Sequence, residues 1–353
     1  MRYRIAHKTD YGYSTPVAQS NHLLHLSPCT IEGQTIEKHE IVISPTPANR
    51  HDFSDYFNNP VIHLTIEEYH KLLSIHACTI VTVERDQTEL LKLSQLPWES
   101  VRDAMSDADH VAEAEFTCYS NFTQPTAEIA AYGAQSFAPG RAMMDAVLDL
   151  TRRIHEDFDY DATATDVFTP VTQVFKQKSG VCQDFAHFEL TCLRALGLPA
   201  RYVSGYLRTY PPEGQPRLVG ADASHAWISA WCPEAGWIDF DPTNNKVISD
   251  EHITLTIGRD FGDVSPISGI ILGGGNHIID VSVDVMPIDE NGNEIGSSSN
   301  GQMQQAMKPS SPALSPPLPQ SQGPVEGHVQ EQSQSQTSDQ IGPVKPVAAD
   351  RTY

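Results

Sequence analysis

The amino-acid sequence predicts an α+β fold, in which an antiparallel β domain is followed by a second domain that packs a helix on another antiparallel sheet. Three observations predict it. Residues 1 to about 85 alternate apolar and polar side chains with the period of β-strands. A helical period then follows a Gly-to-Cys turn at residues 179–185. After that helix, alternating segments separated by Pro and Gly turns return to the period of strands.

The longest alternation of the N-terminal region lies at residues 73–83, where every second side chain is apolar or a threonine. Those positions are Leu73, Ile75, Ala77, Thr79, Val81 and Val83. A shorter alternation covers residues 62–67 and follows the turn signal Asn58-Asn59-Pro60. Because side chains two apart share one face of a strand, each segment predicts a strand with one buried face.

The length and composition of the chain predict two domains and a tail. With 353 residues and 39% hydrophobic content, the chain can bury two modest cores. We predict an N-terminal β domain at residues 1–100 and a catalytic core at 101–290, whose first part, 101–125, is a polar connector. Residues 291–353 are rich in Ser, Gln and Pro and poor in large apolar side chains, which predicts a disordered tail.

Charge and cysteine usage narrow the class of protein. The formal net charge of −22 argues against binding to nucleic acid or to anionic membranes, because an acidic surface repels polyanions. No segment approaches the roughly 20 apolar residues of a membrane span, and the first eight residues lack the apolar core of a signal peptide. The six cysteines form no CxxC pair, which fits a reducing compartment. We therefore expect a cytoplasmic protein.

Two helices are predicted in the second domain. The first follows Pro139-Gly140 and carries an apolar stripe for the core, made of Met143, Val147, Leu150 and Ile154. The second begins near Cys182 and ends before Gly197, which suits a left-handed cap, and Pro199, which cannot continue a helix. Residues 200–207 then predict a strand.

Cys182 is a candidate nucleophile because the helical period places it in the first turn of the second helix. A helix N-terminus carries unpaired N–H groups and partial positive charge, which favour the reactive thiolate over the thiol. Gly180 permits close approach of the backbone beside the sulfur. The alternative is a structural cysteine, since free cysteines are often buried as small hydrophobic side chains.

A thiol nucleophile needs a base and a group that orients the base. Residues 224–231 and 237–242 predict a hairpin that could bring His225 close to a carboxylate. Asp239 and Asp241 share one face of the second strand, so the alternation leaves both as candidates. A metal site formed by Cys182, His187 and His225 is a weaker alternative, because positions five apart on a helix do not share a face.

Four motifs in this order resemble the bacterial transglutaminase-like family, whose thiol site is papain-like. They are Gly180-Val181-Cys182-Gln183-Asp184-Phe185-Ala186, Gly197-Leu198-Pro199-Ala200-Arg201-Tyr202-Val203-Ser204-Gly205-Tyr206, Ser224-His225-Ala226-Trp227 and Trp237-Ile238-Asp239-Phe240-Asp241-Pro242-Thr243-Asn244. The N-terminal half resembles the β domain that precedes the core in bacterial members, through Tyr13-Ser14-Thr15-Pro16-Val17, Ser27-Pro28, Gly33-Gln34 and Asp55-Tyr56-Phe57-Asn58-Asn59. The resemblance covers roughly residues 1 to 290.

The resemblance implies a role for each site residue: Cys182 as the nucleophile, His225 as general base and then acid, and Asp241, rather than Asp239, as the group that orients the imidazole. It implies a thioester formed from a protein or peptide substrate and resolved by water or by an amine, without a cofactor or a metal. The N–H of Cys182 is a candidate oxyanion donor, and the second donor is not identified. The alternative is a catalytically silent peptide-binding module with the same fold.

Overall fold

The computed structural model describes residues 1–93, 95–209 and 224–295 of the chain. Five strands come first: β1 (Arg2–Leu24), β2 (Gln34–Ser44), β3 (Asn49–Ser54), β4 (Pro60–Ile66) and β5 (His70–Val83). Short helices follow: α1 (Thr88–Leu93), α2 (Trp98–Ala104) and α3 (Val111–Ala114), the last flanked by 3₁₀ turns at Ala108–His110 and Glu115–Thr117. Residues 101–125, predicted as a polar connector, thus include part of α2 and the whole of α3.

The second half of the chain begins with two helices and a short strand: α4 (Ala127–Ala134), α5 (Met143–Asp157) and β6 (Asp159–Tyr160). The helix α6 (Val171–Gln177), the strand β7 (Ser179–Gly180) and the helix α7 (Cys182–Ala195) follow. The remaining elements are β8 (Ala200–Leu207), β9 (Ser224–Cys232), β10 (Gly236–Asp241), β11 (Lys246–Val247), β12 (His252–Gly258), α8 (Phe261–Val264), β13 (Ile267–Gly273) and β14 (His277–Pro287). No helix in the described ranges is long and apolar enough to cross a membrane.

The first sheet has seven strands and is organised around β1. Its order is β2-β5-β1-β4-β3, and β13 and β14 also pair with β1. The predicted alternation in β5 is confirmed, because the six side chains from Leu73 to Val83 that share a face are all buried. The strand spans 14 residues, long enough to pair with both β1 and β2.

The last two described strands, β13 and β14, return to the first sheet. The predicted core at 101–290 includes residues 267–287, yet β13 and β14 hydrogen-bond to β1 and not to the second sheet. Three successive glycines at 273–275 all adopt positive φ values in the turn between them, a conformation that L side chains rarely adopt. The predicted domain boundaries otherwise stay predictions, and the predicted tail lies, from residue 296 onward, outside the described residues.

The second sheet is antiparallel, with the order β11-β10-β9-β8-β12, and the helices pack on one of its faces. The apolar stripe predicted for α5 is confirmed, since Met143, Val147, Leu150 and Ile154 are fully buried in that core. The predicted hairpin is also confirmed, with Trp237 of β10 opposite Trp231 of β9. The chain therefore has the predicted α+β fold, an antiparallel sheet followed by a transglutaminase-like core.

Two side-chain amides of the N-terminal region hydrogen-bond to β12, the edge strand of the second sheet. Gln34 donates to the carbonyl of Thr254 and accepts its N–H, both at 2.8 Å. Asn59 does the same with the carbonyl and N–H of Ile257, at 2.7 and 2.8 Å. Because unpaired backbone groups at a buried edge are costly, these amides take the place of a neighbouring strand and fix β12 against the first sheet.

Candidate active site

Helix α7 begins at Cys182, as predicted, and a carboxylate caps its first turn. Oδ2 of Asp184 accepts the Val181 N–H at 2.8 Å and the Thr165 hydroxyl at 2.6 Å. A Cβ on residue 180 would lie 2.5 Å from that oxygen, so Gly180 makes room for the cap. The N–H of Cys182, in the first position of the helix, has no intrahelical acceptor.

The three predicted residues come together where α7, β9 and β10 meet. Nε2 of His225 lies 2.8 Å from Oδ2 of Asp241, and the Cys182 side chain lies close enough to the same ring to raise its pKa. Because Nε2 faces the carboxylate, Nδ1 is the nitrogen available to the sulfur. Cys182 and His225 expose only 4% and 8% of their surface, so little water competes for these contacts.

The electrostatics of the group favour a charged imidazole. Burial by itself lowers the pKa of His225, but Asp241 and then Cys182 outweigh burial and raise it to about 10. Burial raises the pKa of Asp241, and the contacts with His225 and His252 reverse that effect and hold it well below its usual range. The arrangement thus supports an imidazolium whose charge is stabilised by the Asp241 carboxylate.

The Asp-Pro-Thr-Asn sequence explains how the Asp241 carboxylate is held. Its Oδ1 accepts the backbone N–H groups of Thr243 and Asn244 at 3.0 and 3.1 Å, in a turn of the kind that Asp commonly forms. Asn245 adopts a left-handed φ of 51° at the end of this turn. The fixed Oδ1 leaves Oδ2 facing His225.

Asp239, the other candidate from the strand alternation, has different partners. Its Oδ2 accepts the indole N–H of Trp227 at 3.2 Å and lies 3.8 Å from Nη1 of Arg85. Its backbone N–H donates to the side chain of Gln87 at 2.8 Å. Asp239 therefore ties the sheet to the N-terminal region, whereas Asp241 contacts His225.

A second histidine, which the sequence did not indicate, also binds Asp241. Nε2 of His252, the first residue of β12, lies 3.1 Å from the same Oδ2 that contacts His225. No motif marks His252, because β12 follows β11 through a turn and reaches Asp241 only across the folded sheet. An ordinary alternating strand was the only signal at this position.

Among the described residues, one group of three His, Cys, Asp or Glu side chains could hold a metal ion. It consists of His225, Asp241 and His252, whose polar atoms lie within 4.8 Å of one another. Both N–O separations are hydrogen-bond lengths, and each Nε2 is directed at the carboxylate, so we interpret the group as a hydrogen-bonded set. The alternative site with His187 is not formed, because its Nε2 accepts the Phe261 N–H at 3.1 Å. His187 also stacks on Phe122.

Tyr160 lies beside the start of α7. It pairs with Gly180 in the parallel β6–β7 ladder, and its ring meets the ring of Phe185 edge to face at 6.5 Å. Burial raises its pKa to about 12, with further contributions from the charges of Cys182 and Asp184. Its hydroxyl has no hydrogen-bond partner within the described ranges, and about half of the residue is exposed.

A cysteine at the head of a helix, packed on an antiparallel sheet that carries a His–Asp pair, defines the transglutaminase-like class of proteins. Residues 131–242 match the transglutaminase-like superfamily, and residues 3–82 match the bacterial transglutaminase-like N-terminal region. The chain belongs to the bacterial transglutaminase-like family.

Curated relatives agree with this assignment. An uncharacterized protein of Mycobacterium tuberculosis is 39% identical over 295 residues, which cover 82% of this chain and 93% of the relative. A protein-glutamine gamma-glutamyltransferase of Pseudomonas aeruginosa is 38% identical over 114 residues, which cover 31% of this chain and 16% of that protein.

A solved structure shares the fold over most of the chain. It is a Cytophaga hutchinsonii protein that is proposed to be a cysteine protease, and it superposes with a TM-score of 0.63. The match covers 82% of this chain and 92% of that one, at 22% sequence identity. At this identity, the similarity concerns the fold.

Proposed function

We propose that the protein is a thiol enzyme that forms a Cys182 thioester from a glutamine carboxamide or a peptide bond of a protein substrate. The contact of His225 with both Cys182 and Asp241 carries this proposal. A structural cysteine would need neither a paired imidazole nor a carboxylate behind that imidazole. The same set argues against a silent peptide-binding module.

In the proposed reaction, the Cys182 sulfur attacks the substrate carbonyl carbon, and the electron pair of the C=O bond moves onto oxygen. His225 gives its proton to the leaving nitrogen as the C–N bond breaks, which leaves a thioester. His225 then takes a proton from water or from an amine, whose attack on the thioester expels the thiolate. Water gives hydrolysis, and an amine gives transamidation.

The oxyanion of this reaction requires two hydrogen-bond donors close to the sulfur. The N–H of Cys182 is the first, because the start of a helix leaves it without an acceptor. For the second we propose the Tyr160 hydroxyl, because Tyr160 pairs with Gly180 beside the start of α7 and its hydroxyl has no partner among the described residues. Its raised pKa keeps the hydroxyl protonated at neutral pH, as a donor must be.

The protein's compartment is part of the proposal. All six cysteines are free, two of them exposed and four buried, which supports the predicted reducing environment of the cytoplasm.

Alkylation by iodoacetamide across pH tests the proposal. Peptide mapping would follow Cys182, with the exposed Cys118 in the same tube as a reference thiol. We expect Cys182 to react faster than Cys118, because His225 can take the proton of its thiol. His225→Ala should abolish this reactivity, and His51→Ala, at an exposed position in β3, should not.

Incorporation of a labelled primary amine into a glutamine-bearing protein then separates transamidation from hydrolysis, because both routes release ammonia or peptide when the thioester forms and only transamidation retains the label. An ordinary thiol profile for Cys182, together with neither product, would favour the binding module and end the enzyme proposal.

A further inference from the structure

The carboxylate of Asp241 is shared by two imidazoles, and both use the same oxygen. Nε2 of His225 lies 2.8 Å from Oδ2, and Nε2 of His252 lies 3.1 Å from it. The side-chain amide of Asn244 donates a hydrogen bond to the same oxygen at 2.7 Å. Asp241 is fully buried, so no water takes part of its charge. Each donor on Oδ2 therefore weakens the attraction of that oxygen for the others.

His252 enters this set as a neutral ring. Burial lowers its pKa, the contact with Asp241 opposes that effect without reversing it, and the charge of His225 lowers the pKa further. A carboxylate only accepts, so the single proton of the ring lies on Nε2. Nδ1 is buried and has no partner among the described residues.

The two histidines consequently respond to one carboxylate in opposite ways. The pKa of His225 is raised, and that of His252 is lowered. Their ring centroids are 6.1 Å apart, so a charge on His225 makes a second charge on His252 unfavourable. The hydrogen on Nε2 of His252 is the positive end of a fixed dipole directed at the oxygen that stabilises the His225 imidazolium.

We propose that His252 is a positioning residue that weakens the hold of Asp241 on the His225 imidazolium, by donating permanently from Nε2 to the shared oxygen, so that His225 can release its proton. The inference rests on the proposed thiol chemistry. An imidazolium held too firmly by its carboxylate would pair well with a thiolate, but it would protonate a leaving amine slowly.

The fold keeps His252 in place for this role. Its ring meets Trp227 edge to face at 5.3 Å, and Trp227 is itself held through its indole N–H by Asp239. His252 begins β12, the strand whose outer edge is paired by Gln34 and Asn59. The donor is thus attached to a strand that both sheets restrain.

Few other titratable groups act on this set. Helix α7 contributes Cys182, which contacts His225, and Glu189, which feels the charge of Asp241. Strand β11 contributes Lys246, whose charge lowers the pKa of His252 and which lies 3.6 Å from Glu251.

Nuclear magnetic resonance of ¹⁵N-labelled histidine tests the inference. The His225 resonance is assigned by its loss in His225→Ala, and the measured quantity is the pH at which this ring loses its second proton. His252→Leu and His252→Met remove the donor with different shapes, so a folding defect in one does not prevent the test. His252→Gln is the matched control, because its amide can donate from a similar position.

We expect the His225 transition to move upward by about half a unit to one unit in the Leu and Met variants and to stay in place in the Gln variant. A role in packing alone would lower thermal stability and leave the transition where it is, and that result would overturn the inference. If His225 in the unsubstituted protein is neutral at pH 7, the proposed thiol chemistry itself is contradicted, whatever the role of His252. That outcome is recognisable without any His252 variant.

Discussion

At the scale of single residues, the geometry of the site depends on a missing Cβ and on two backbone hydrogen bonds. Gly180 has no Cβ, so the Asp184 carboxylate can reach back over the first turn of α7. Two adjacent N–H groups after Pro242 bind Oδ1 of Asp241, so that Oδ2 faces His225. Each feature concerns one or two atoms, and together they set the position of the sulfur relative to the imidazole.

Tyr160→Phe removes only a hydroxyl and tests the second oxyanion donor. We expect thioester formation with an active acyl donor to slow by about 10²-fold, the effect typical of a lost oxyanion donor. The pH profile of Cys182 alkylation should not change, because iodoacetamide forms no oxyanion. Tyr69→Phe, at an exposed position, is the control. An unchanged rate of acylation would show that Tyr160 is not the donor.

At the scale of elements, α7 carries an acid that the proposed chemistry does not use. Glu189 lies two turns after Cys182 and is fully buried. The Thr151 hydroxyl lies 2.6 Å from Oε1 of Glu189 and 2.9 Å from the carbonyl oxygen of Val147. One hydroxyl proton cannot be donated to both acceptors. Both hydrogen bonds can form only when Glu189 is protonated and donates its own proton to the Thr151 oxygen. Burial accordingly raises the pKa of Glu189 to about 8.

Glu189→Gln should therefore make stability less dependent on pH. The folded protein holds the Glu189 proton up to about pH 8, whereas the unfolded chain releases it near the ordinary value of 4.5. The free energy of unfolding thus falls as pH rises through this range. We expect Glu189→Gln to match the unsubstituted protein near pH 4.5 and to exceed it by about 4 kcal/mol at pH 8.

Urea denaturation at the two pH values measures this difference. Glu68→Gln, at an exposed position, should leave the pH dependence as it is. Parallel stability curves for the Glu189 variant and the unsubstituted protein would mean that Glu189 ionises normally in the folded state.

At the scale of the whole molecule, the two sheets form one structure around β12. A shared apolar cluster takes Tyr3, Ile5, Val81, Val83, Val283 and Val285 from the first sheet and Tyr206, Ile253 and Leu255 from the second. Gln34 and Asn59 add hydrogen bonds to the backbone of β12. Because His252 begins that strand, the N-terminal region supports the site without supplying any of its side chains.

Gln34→Met tests this connection. The substitution keeps the length of the side chain but leaves the N–H and carbonyl of Thr254 without their partner. We expect the free energy of unfolding to fall by about 2 to 4 kcal/mol, since each buried unpaired backbone group costs roughly 1 to 3 kcal/mol. Gln19→Met, at an exposed position in β1, should cost less than about 0.5 kcal/mol. Equal stability of the two variants in urea would contradict the connection.

Local sequence patterns were sufficient for much of the fold. The alternation in β5, the apolar stripe of α5 and the glycine after α7 each reflect a regular backbone period or a φ restriction, which act over neighbouring residues. The return of β13 and β14 to the first sheet could not be predicted in this way, because strand pairing joins residues more than 200 positions apart.

The same distinction applies to the site. By itself, the sequence determined that a cysteine would begin a helix and that a histidine and two aspartates would share a hairpin, because these are consequences of local period. Strand alternation left both aspartates open, the family resemblance favoured Asp241, and the tertiary structure places Asp241 against His225. Only the tertiary structure placed His252 on the same oxygen. These contacts depend on how separate strands and a helix pack, and packing directions are not encoded in the spacing of residues along one strand.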